Sequence, residues 1–340
     1  MLQKNHCNNH HASSALQKRI FVTGGAGYIG SICVEQLLEK GYSVAVFDNL
    51  SEGHRAAIDP RATFFQGELA DRSFLEQTLR DFQATAVMHF AAHALVGESM
   101  LHPSKYFHNN VVGGLNLLDA MVATGVRHLV FSSTCATFGV PDQMPIVESM
   151  PQRPINPYGE SKLIFERLLP WYEKIHHLTF IALRYFNAAG ASTRFGEDHR
   201  VETHLIPNVL NVALGKREAV EIYGTDYPTR DGSCIRDYIH VLDLAEAHLL
   251  ALHAKESAFY NLGTGGGSSV YEVIECCRRV SGYPILALEK PRRPGDPPLL
   301  IGSSERIKKE LGWNPQYQSL EKIIQSAWSW HQAHPHGYQD

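Results

Sequence analysis

The chain has 340 residues and a formal net charge of −4, with 44% hydrophobic and 19% charged residues. These values are typical of a globular protein with material for one large or two ordinary cores. No basic stripe stands out, so we expect no nucleic-acid partner. No stretch approaches the roughly 20 apolar residues that span a bilayer, so we also expect no membrane segment.

Six cysteines are scattered along the chain without a C-x-x-C pair. A chain of this size does not need disulfide bonds for stability, so we interpret them as reduced thiols of a cytoplasmic protein. Residues 1–18 are polar and lack an apolar signal-peptide core, which favours a disordered tail. The tail contains His6, Cys7, His10 and His11, but so short a tract suggests a metal site by composition only. We predict no metal site.

Six short apolar runs between Arg19 and Phe186 predict β-strands: RIFVT, SVAVF, ATFFQ, TAVMHF, HLVFSS and FIALRYF. The segments between them, such as IGSICVEQLLEK and SFLEQTLRDF, have the apolar spacing of helices. Such alternation of strand and helix predicts an α/β fold with a doubly wound parallel sheet, covered by helices on both faces.

After about Asn187, proline and glycine become frequent and the pattern is less regular. We predict a first domain over residues 19–186 and a smaller C-terminal α/β domain over residues 187–340, with 237–262 as a segment that returns to the first. Open α/β sheets bind ligands at the carboxyl ends of their strands, so the cleft between the domains is the predicted active site. Ser269 and Glu272 predict a helix capping box.

Gly24, Gly27 and Gly30 lie at the junction between the first predicted strand and the first helix. The first permits a tight turn, the second lets the backbone approach a pyrophosphate, and the third lets helix and strand pack closely. The helix N-terminus also offers free N–H groups to an anion. The second strand ends at Asp48, where an acid accepts hydrogen bonds from a ribose and repels the extra phosphate of NADP. These features predict a Rossmann-like fold that binds NAD.

Tyr158 and Lys162 are four residues apart in PYGESK and would share one face of a helix. A tyrosine hydroxyl has an ordinary pKa near 10, and a neighbouring ammonium and a nicotinamide cation would lower it. The phenolate would then act as a base on a substrate hydroxyl. Ser132 and Thr134 end a predicted strand upstream, and Thr134 would hydrogen-bond the same oxygen. Each motif alone has an ordinary structural explanation, but their order along the chain favours catalysis by Tyr158, Lys162 and Thr134.

The G-x-x-G-x-x-G spacing, the strand-end acid and Tyr-x-x-x-Lys together resemble the extended short-chain dehydrogenase/reductase family. Further patches, among them LRYFNAAGA, YGTDYPTRDGSCIRDYIHV and RRPGD, resemble the NAD-dependent epimerases of UDP-sugars within that family. The resemblance implies tightly bound NAD, transient oxidation at C4 of the sugar, and interconversion of UDP-glucose and UDP-galactose. UDP-N-acetylglucosamine, UDP-xylose and UDP-glucuronate stay open as substrates. The resemblance also implies a homodimer, formed through the helix around residues 110–123 and the helix that carries Tyr158.

Individual roles follow from the same resemblance. The cofactor-binding residues would be Gly24, Gly27, Tyr28, Ile29, Gly30, Asp48, Asn49, Glu68, Leu69, Phe90, Ala91, Ala92, Asn109, Ser132, Tyr158, Lys162 and Tyr185. The residues that bind the UDP-sugar would be Thr134, Tyr158, Phe186, Asn187, His204, Leu205, Arg236, Tyr238, Arg293, Asp296 and Leu300. A guanidinium fork matches phosphate oxygens, which suits the two arginines to a diphosphate.

Four positions depart from the family pattern. Glu68 stands in place of an aspartate, Ala94 in place of a lysine, and Phe138 in place of a tyrosine. Glu68 keeps a carboxylate, whereas Ala94 removes one contact on the phosphate side. Leu300 stands where a bulky tyrosine would exclude an N-acetyl group. We therefore expect some tolerance of N-acetylated sugars.

Two other functions are disfavoured. A sugar-nucleotide 4,6-dehydratase of this family would have Asp-Glu directly after the strand-end threonine, and a UDP-glucuronate decarboxylase would have a glutamate nearby. Here Cys135 and Ala136 follow Thr134, and neither can serve as the acid or base. An NAD-binding regulatory protein without turnover would typically lack the tyrosine or the lysine, whereas Tyr158 and Lys162 are both present.

Overall fold

The computed structural model of the protein describes residues 18–293 and 296–340. The predicted tail therefore lies outside the described residues, except for its last residue. The elements of the first part are β1 (Arg19–Thr23), α1 (Tyr28–Glu39), β2 (Ser43–Asp48), β3 (Thr63–Gln66), α2 (Arg72–Phe82), β4 (Ala86–His89), α3 (Val96–Leu101), α4 (Pro103–Tyr106), a π-helical segment (Phe107–Gly113), α5 (Gly114–Thr124), β5 (His128–Thr134), α6 (Pro157–His176) and β6 (Thr179–Tyr185).

The remaining elements follow in chain order. They are β7 (Asn187–Ala189), α7 (Leu205–Ala213), β8 (Val220–Tyr223), β9 (Ile235–Arg236), β10 (Tyr238–His240), α8 (Val241–Ala251), β11 (Ala258–Leu262), β12 (Ser268–Ser269), α9 (Val270–Ser281), β13 (Ala287–Lys290), β14 (Leu299–Leu300), α10 (Glu305–Leu311) and α11 (Leu320–Ala333). Short 3-10 turns cover Arg55–Ala57 and Cys135–Phe138.

Seven parallel strands form the central sheet in the order β11-β6-β5-β4-β1-β2-β3. All six strands predicted from the sequence belong to it, and the predicted α/β, doubly wound class is confirmed. The strand order reverses between β1 and β4, because β2 and β3 extend the sheet one way and β5 and β6 the other. Ligands of such sheets bind in the crevice at the carboxyl ends of the strands where the order reverses.

The central sheet has a hydrophobic core on each face. Successive residues of β1 point to opposite faces, as the pleat of a strand requires. Ile20 and Val22 pack on the side of Leu244 in α8, whereas Phe21 packs on the side of Phe165 in α6. Helices α1 and α8 thus cover one face, and α2, α5 and α6 cover the other.

The segment after β7 contributes to both halves of the molecule. Strand β11 pairs with β6 at the edge of the central sheet, and α8 packs against α1. Residues 241–262 thus join the layers of the first half, and the domain boundaries stay a prediction. The remaining elements surround a third core, in which α7, α9 and α11 pack against one another beside the small sheets β10-β7 and β13-β8.

Two findings concern the helices, namely the cap of α9 and the lack of a membrane span in the described ranges. The capping box predicted at the start of α9 is confirmed: the backbone N–H of Glu272 donates to the Ser269 hydroxyl over 3.1 Å, and the Glu272 carboxylate accepts from the Ser269 N–H over 2.8 Å. Among the helices of the described ranges, none combines the length and the apolar character that crossing a bilayer requires.

The contact between α1 and β1 depends on the missing side chain of Gly30, since a Cβ there would lie 2.2 Å from the carbonyl oxygen of Gly24. We expect Gly30→Ala to lower the thermal unfolding midpoint, because α1 and the turn at Gly24 must move apart to make room for the methyl group. The expected loss in the free energy of unfolding is about 3 kcal/mol. Gly97→Ala is the matched control in α3, where a Cβ meets nothing within 4 Å. Equal midpoints for both variants in calorimetry would contradict this packing argument.

Candidate active site

A cleft opens at the carboxyl edge of the sheet, at the point where the strand order reverses. Its walls are the ends of β1, β2 and β4 and the start of the π-helical segment. The lining residues are Gly24, Gly27, Phe47, Asp48, Asn49, Ser51, Glu52, Gly53, Gly67, Glu68, Leu69, Phe90, Ala91, Ala92, His93 and Asn109. Ten of the predicted cofactor residues therefore line one cleft.

The floor of this cleft is the glycine turn. Gly24 has φ +73°, and a Cβ on it would lie 2.4 Å from the backbone nitrogen of Ala91. The Gly27 N–H donates to the Gly24 carbonyl over 3.2 Å and closes the turn. Tyr28, Ile29 and Gly30 then form the first turn of α1, where backbone N–H groups have no partner within the helix. This is the cradle that a pyrophosphate requires.

The predicted ribose-binding acid lies at the end of β2. Asp48 accepts hydrogen bonds from the backbone N–H groups of Ala26 and Leu50 over 3.0 and 2.8 Å. Burial raises the pKa of Asp48, and these two bonds oppose the rise. The amide of Asn49 donates to Glu68 over 3.0 Å across the cleft. Two carboxylates and an amide are thus grouped where the hydroxyls of a nucleotide ribose would lie.

The side chain of Tyr28, a predicted cofactor residue, does not line the cleft. Its hydroxyl donates to the carbonyl of Gly190 over 2.6 Å, and its ring packs with Ile32 and Phe195. The side chain therefore joins α1 to the segment after β7 instead of lining the cleft. Only the backbone of Tyr28 is available to an anion at the start of the helix.

The start of α6 brings Tyr158 and Lys162 to the end of β5. Asn156 caps the helix by accepting from the Gly159 N–H over 2.8 Å, and Pro157 occupies the first turn. Lys162 is buried, donates to the carbonyl of Ser132 over 2.9 Å, and lies 4.9 Å from the centre of the Phe131 ring. The predicted pair is thus docked on the predicted strand end.

Burial sets the protonation of this pair. It lowers the pKa of Lys162 to about 7, partly opposed by the charge of Glu166. It raises the pKa of Tyr158 to about 12, and the hydrogen bond with Thr134 acts in the opposite direction. Within the protein alone, Thr134 is the group that lowers the pKa of Tyr158, and the effect of the Lys162 ammonium beside a bound nicotinamide stays a prediction.

Ser132 and Tyr185 contact each other at the ends of neighbouring strands. Their hydroxyls form a short hydrogen bond, and both residues are buried. Burial raises the pKa of Tyr185 far above its ordinary value. The Ser132 hydroxyl is therefore engaged within the protein, while its carbonyl holds Lys162.

The predicted substrate side is formed by the short strands β9 and β14. They are parallel, with Leu300 in register with Arg236. The Arg236 guanidinium donates to Asp296 over 3.4 Å, and the Arg293 guanidinium lies 3.8 Å above the Tyr223 ring. The charge of Arg236 also acts on Cys135, directly after Thr134. Arg236 is therefore near the carboxyl end of β5.

The structure does not bring every predicted substrate residue to this edge. Tyr238 is buried in the third core, and its pKa is raised well above its ordinary value. Asn187 pairs in register with Tyr238 in the β7–β10 sheet, with its own side chain half-buried. Phe186 packs on the backbone of Gly302. Their contacts with a UDP-sugar remain predictions.

His204 and Leu205 lie at the start of α7, farther along the chain. Leu205 packs against the third core. His204 joins Glu197, His199 and Glu202 in a group of four side chains, called here the Glu197 cluster. Sequence reasoning predicted no metal site and assigned no role to the other three members. The signal was present as the spacing E-x-H-x-x-E-x-H, which matches neither a single helix nor a strand.

Comparison with known proteins identifies the family. Residues 20–263 match the NAD dependent epimerase/dehydratase family. The chain is 52% identical to the UDP-glucose 4-epimerase of Streptococcus mutans over 329 residues, which is 94% of this chain and 99% of the relative. The chain belongs to the NAD dependent epimerase/dehydratase family. The resemblance inferred from the sequence patches is confirmed.

Solved structures of other members of this epimerase/dehydratase family agree with the fold. The UDP-glucose 4-epimerase of Brucella ovis in complex with NAD has a TM-score of 0.89 and 44% identity, covering 94% of this chain and 98% of that one. The enzyme of Bifidobacterium longum, in complex with NAD+ and UDP, has a TM-score of 0.90 and 36% identity, covering 94% and 100%. NAD is the cofactor of the family, and the glycine cradle and strand-end acid described above suit it.

A buried ion pair supports α6, the helix that carries Tyr158 and Lys162, and sequence reasoning missed it. Glu166 accepts two hydrogen bonds from the Arg184 guanidinium over 2.8 and 2.7 Å. The same carboxylate accepts from the Ser133 hydroxyl over 2.5 Å and from the Gln152 amide over 2.9 Å. Glu166 lies one turn after Lys162, so this network fixes α6 against β5 and β6.

Replacing Glu166 by Gln would leave the Arg184 charge buried without a counter-ion. We expect Glu166→Gln to lower the free energy of unfolding by about 3–5 kcal/mol, and to lower the pKa of Lys162 further, since Glu166 raises it. Glu305→Gln is the control, because its pair with Lys308 is exposed and should be worth under about 1 kcal/mol. Urea unfolding measures both, and similar losses in the two variants would contradict the role of the network.

Proposed function

We propose that the protein interconverts UDP-glucose and UDP-galactose by transient oxidation at C4 of the sugar. The observation that carries the proposal is the docking of Tyr158, Thr134 and Lys162 at the carboxyl end of β5, next to the glycine cleft. A phenol beside a dinucleotide site, with a hydroxyl as its hydrogen-bond partner, is suited to removing a proton from a sugar hydroxyl while the carbon is oxidised.

In this proposal Tyr158 takes the proton from the sugar O4 and later returns it. When bound, NAD supplies a cationic nicotinamide ring that favours the phenolate, and it accepts a hydride from C4 and returns it to the other face. Thr134 donates a hydrogen bond that also favours the phenolate, which lowers the pKa of Tyr158. Lys162, tied to the Ser132 carbonyl, holds the helix start in position.

The proposal also requires a site for the nucleotide half of the substrate. Arg236 and Arg293 offer guanidinium groups to a diphosphate, with Asp296 beside them as a partner for a ribose hydroxyl. Fixing the UDP end leaves only the sugar to rotate about its phosphate bonds. The oxidised, flat C4 can then present its second face without the substrate leaving.

Other UDP-sugars remain candidates, and one observation favours a broader range. Leu300 is half-buried and lies beside Arg236 in register, where the family pattern has a bulky tyrosine. A leucine leaves more space for an N-acetyl group at C2 of the sugar. Turnover of UDP-glucose, UDP-N-acetylglucosamine, UDP-xylose and UDP-glucuronate without added NAD, with separation of the C4 epimers, would rank these substrates. No turnover of any of them would favour an NAD-binding regulatory protein.

Removal of the proposed base provides the direct test. We expect Tyr158→Phe to slow conversion of UDP-galactose to UDP-glucose by about 100-fold to 10,000-fold, because no other group takes the proton in its place. Tyr172→Phe is the matched control: it lies on the same helix, where its hydroxyl bonds Asp119 over 2.6 Å. Bound NAD is quantified in both variants, so that loss of cofactor is not mistaken for loss of the base. Wild-type turnover by Tyr158→Phe would overturn the assignment.

We also propose a homodimer in the cytoplasm. The side chains of Val112, Trp171 and Ile175 are exposed on the adjoining π-helical segment and α6. Burying such a patch against a second copy would be favourable, and these are the helices that the resemblance implicates. Cytoplasmic location is supported by the cysteines of the described ranges, which are free thiols.

A charge in this exposed patch should separate the two copies. We expect Trp171→Glu to convert the dimer to a monomer in light scattering coupled to gel filtration, because an unpaired carboxylate would be buried at the contact. Leu286→Glu is the control, since Leu286 is 58% exposed and Trp171 60%, but Leu286 lies in the second half of the chain. A monomeric wild type, or a dimer that persists in Trp171→Glu, would contradict this assembly.

A further inference from the structure

The Glu197 cluster lies in the loop between β7 and α7. It contains two imidazoles and two carboxylates within eight residues of sequence. One ligand atom from each side chain can be chosen so that all four lie within 4.8 Å of one another. The cluster also contacts more distant parts of the chain. His204 directly precedes α7, and the ring of His199 lies against the ring of Tyr28 in α1.

Three of the separations within the cluster are close to the edge length of a small tetrahedron. Glu197 Oε1 lies 3.3 Å from His199 Nε2 and 3.0 Å from His204 Nδ1. Glu202 Oε1 lies 3.0 Å from the same His204 nitrogen. Four ligands at about 2.0–2.1 Å from a zinc ion are about 3.4 Å apart. Small side-chain rotations would therefore place the four atoms around one ion.

Without an ion, protonated imidazoles would balance the two carboxylates, but the hydrogen bonds of that arrangement are incomplete. His204 Nδ1 faces two carboxylate oxygens at 3.0 Å, but an imidazole nitrogen carries a single hydrogen to donate. Glu197 is 5% exposed, and two carboxylates so close together repel each other. A divalent cation balances both carboxylates and accepts a lone pair from each of the four atoms. The backbone N–H of His204 donates to Glu202 over 2.7 Å and helps to orient that carboxylate.

We propose that Glu197, His199, Glu202 and His204 bind one structural Zn²⁺ ion. Two imidazoles favour a transition metal over Mg²⁺ or Ca²⁺, which prefer all-oxygen sites. Imidazole nitrogens and carboxylate oxygens are both zinc ligands, and a set of four suits the tetrahedral geometry of zinc. Because the protein supplies all four ligands, no position is left for a substrate or an activated water. The ion would take no part in the epimerase chemistry proposed above, and His204, which the resemblance assigned to the UDP-sugar, would bind zinc instead.

The position of the cluster indicates what the ion would hold. The rings of Tyr28 and His199 meet edge to face with centres 6.2 Å apart, and the Tyr28 hydroxyl bonds Gly190 at the other end of the loop. Tyr28 begins α1 beside the glycine cleft, and Leu205 begins α7 in the second half of the molecule. Zinc would thus stabilise the loop between β7 and α7, which links α1 beside the glycine cleft to the third core.

Zinc analysis of the purified, full-length holoenzyme tests this site. The tail residues His6, Cys7, His10 and His11 could also bind metal, so they are first replaced by serine in every sample. After dialysis against a chelator and reloading, we expect one zinc ion per chain and a higher unfolding temperature with zinc than without it. His199→Gln and His204→Gln should abolish both effects. His334→Gln is the control, because His334 stacks on Trp330 outside the cluster.

X-ray absorption at the zinc edge gives an answer that requires no variant. Four nitrogen or oxygen ligands at about 2.0–2.1 Å, including two imidazoles and no sulfur, would support the site. Sulfur ligation, a single imidazole, or no zinc retained at micromolar concentration would overturn it. Zinc retained equally by His199→Gln and His204→Gln would overturn it as well. The histidines would then be protonated partners of Glu197 and Glu202.

Discussion

The cleft at the carboxyl ends of β1 and β4 depends on close contact between segments of the backbone. Gly24 turns the chain at the end of β1, and a Cβ on it would lie 2.4 Å from the nitrogen of Ala91 after β4. Gly30 repeats the contact from the helix side, against the carbonyl of Gly24. Because β1 and β4 are neighbours in the sheet, a side chain at either glycine would separate turn, helix and strand. The pyrophosphate cradle is therefore a property of the backbone.

The region around Tyr158, where α6 packs on the carboxyl end of β5, depends on buried polar and charged side chains. Lys162 bonds the carbonyl of Ser132, and Glu166, one helical turn later, bonds the hydroxyl of Ser133. Two consecutive strand residues are thus matched to two helix residues four apart, which fixes the register of α6 against β5. A slip would leave Lys162 and the Glu166–Arg184 pair without partners in the interior, at a cost of several kcal/mol for each charge.

The difference between the glycine cleft and the region around Tyr158 explains what the sequence could predict. Asp48 and the glycine turn follow local patterns, so the strands, the first helix and the cofactor site were predictable. Glu166 and Arg184 are 18 residues apart, on different elements, and look like ordinary surface charges until α6 and β6 are packed together. The Glu197 cluster follows no helical or strand period, because its residues lie in a loop that tertiary contacts shape. Tyr238 packs in the third core, a position that the sequence pattern did not indicate, and its assignment to the substrate stays a prediction.

The position of Leu300 in β14 also bears on the range of sugars that the protein could accept. Leu300 takes part in the β9–β14 pairing through its backbone, since its carbonyl accepts from the N–H of Asp237. Its side chain can therefore change in size without breaking the sheet that carries Arg236. In the proposed mechanism the space beside the sugar then varies independently of the diphosphate contacts and of the glycine turn. One fold can thus keep the same hydride and proton chemistry while accepting sugars that differ at C2.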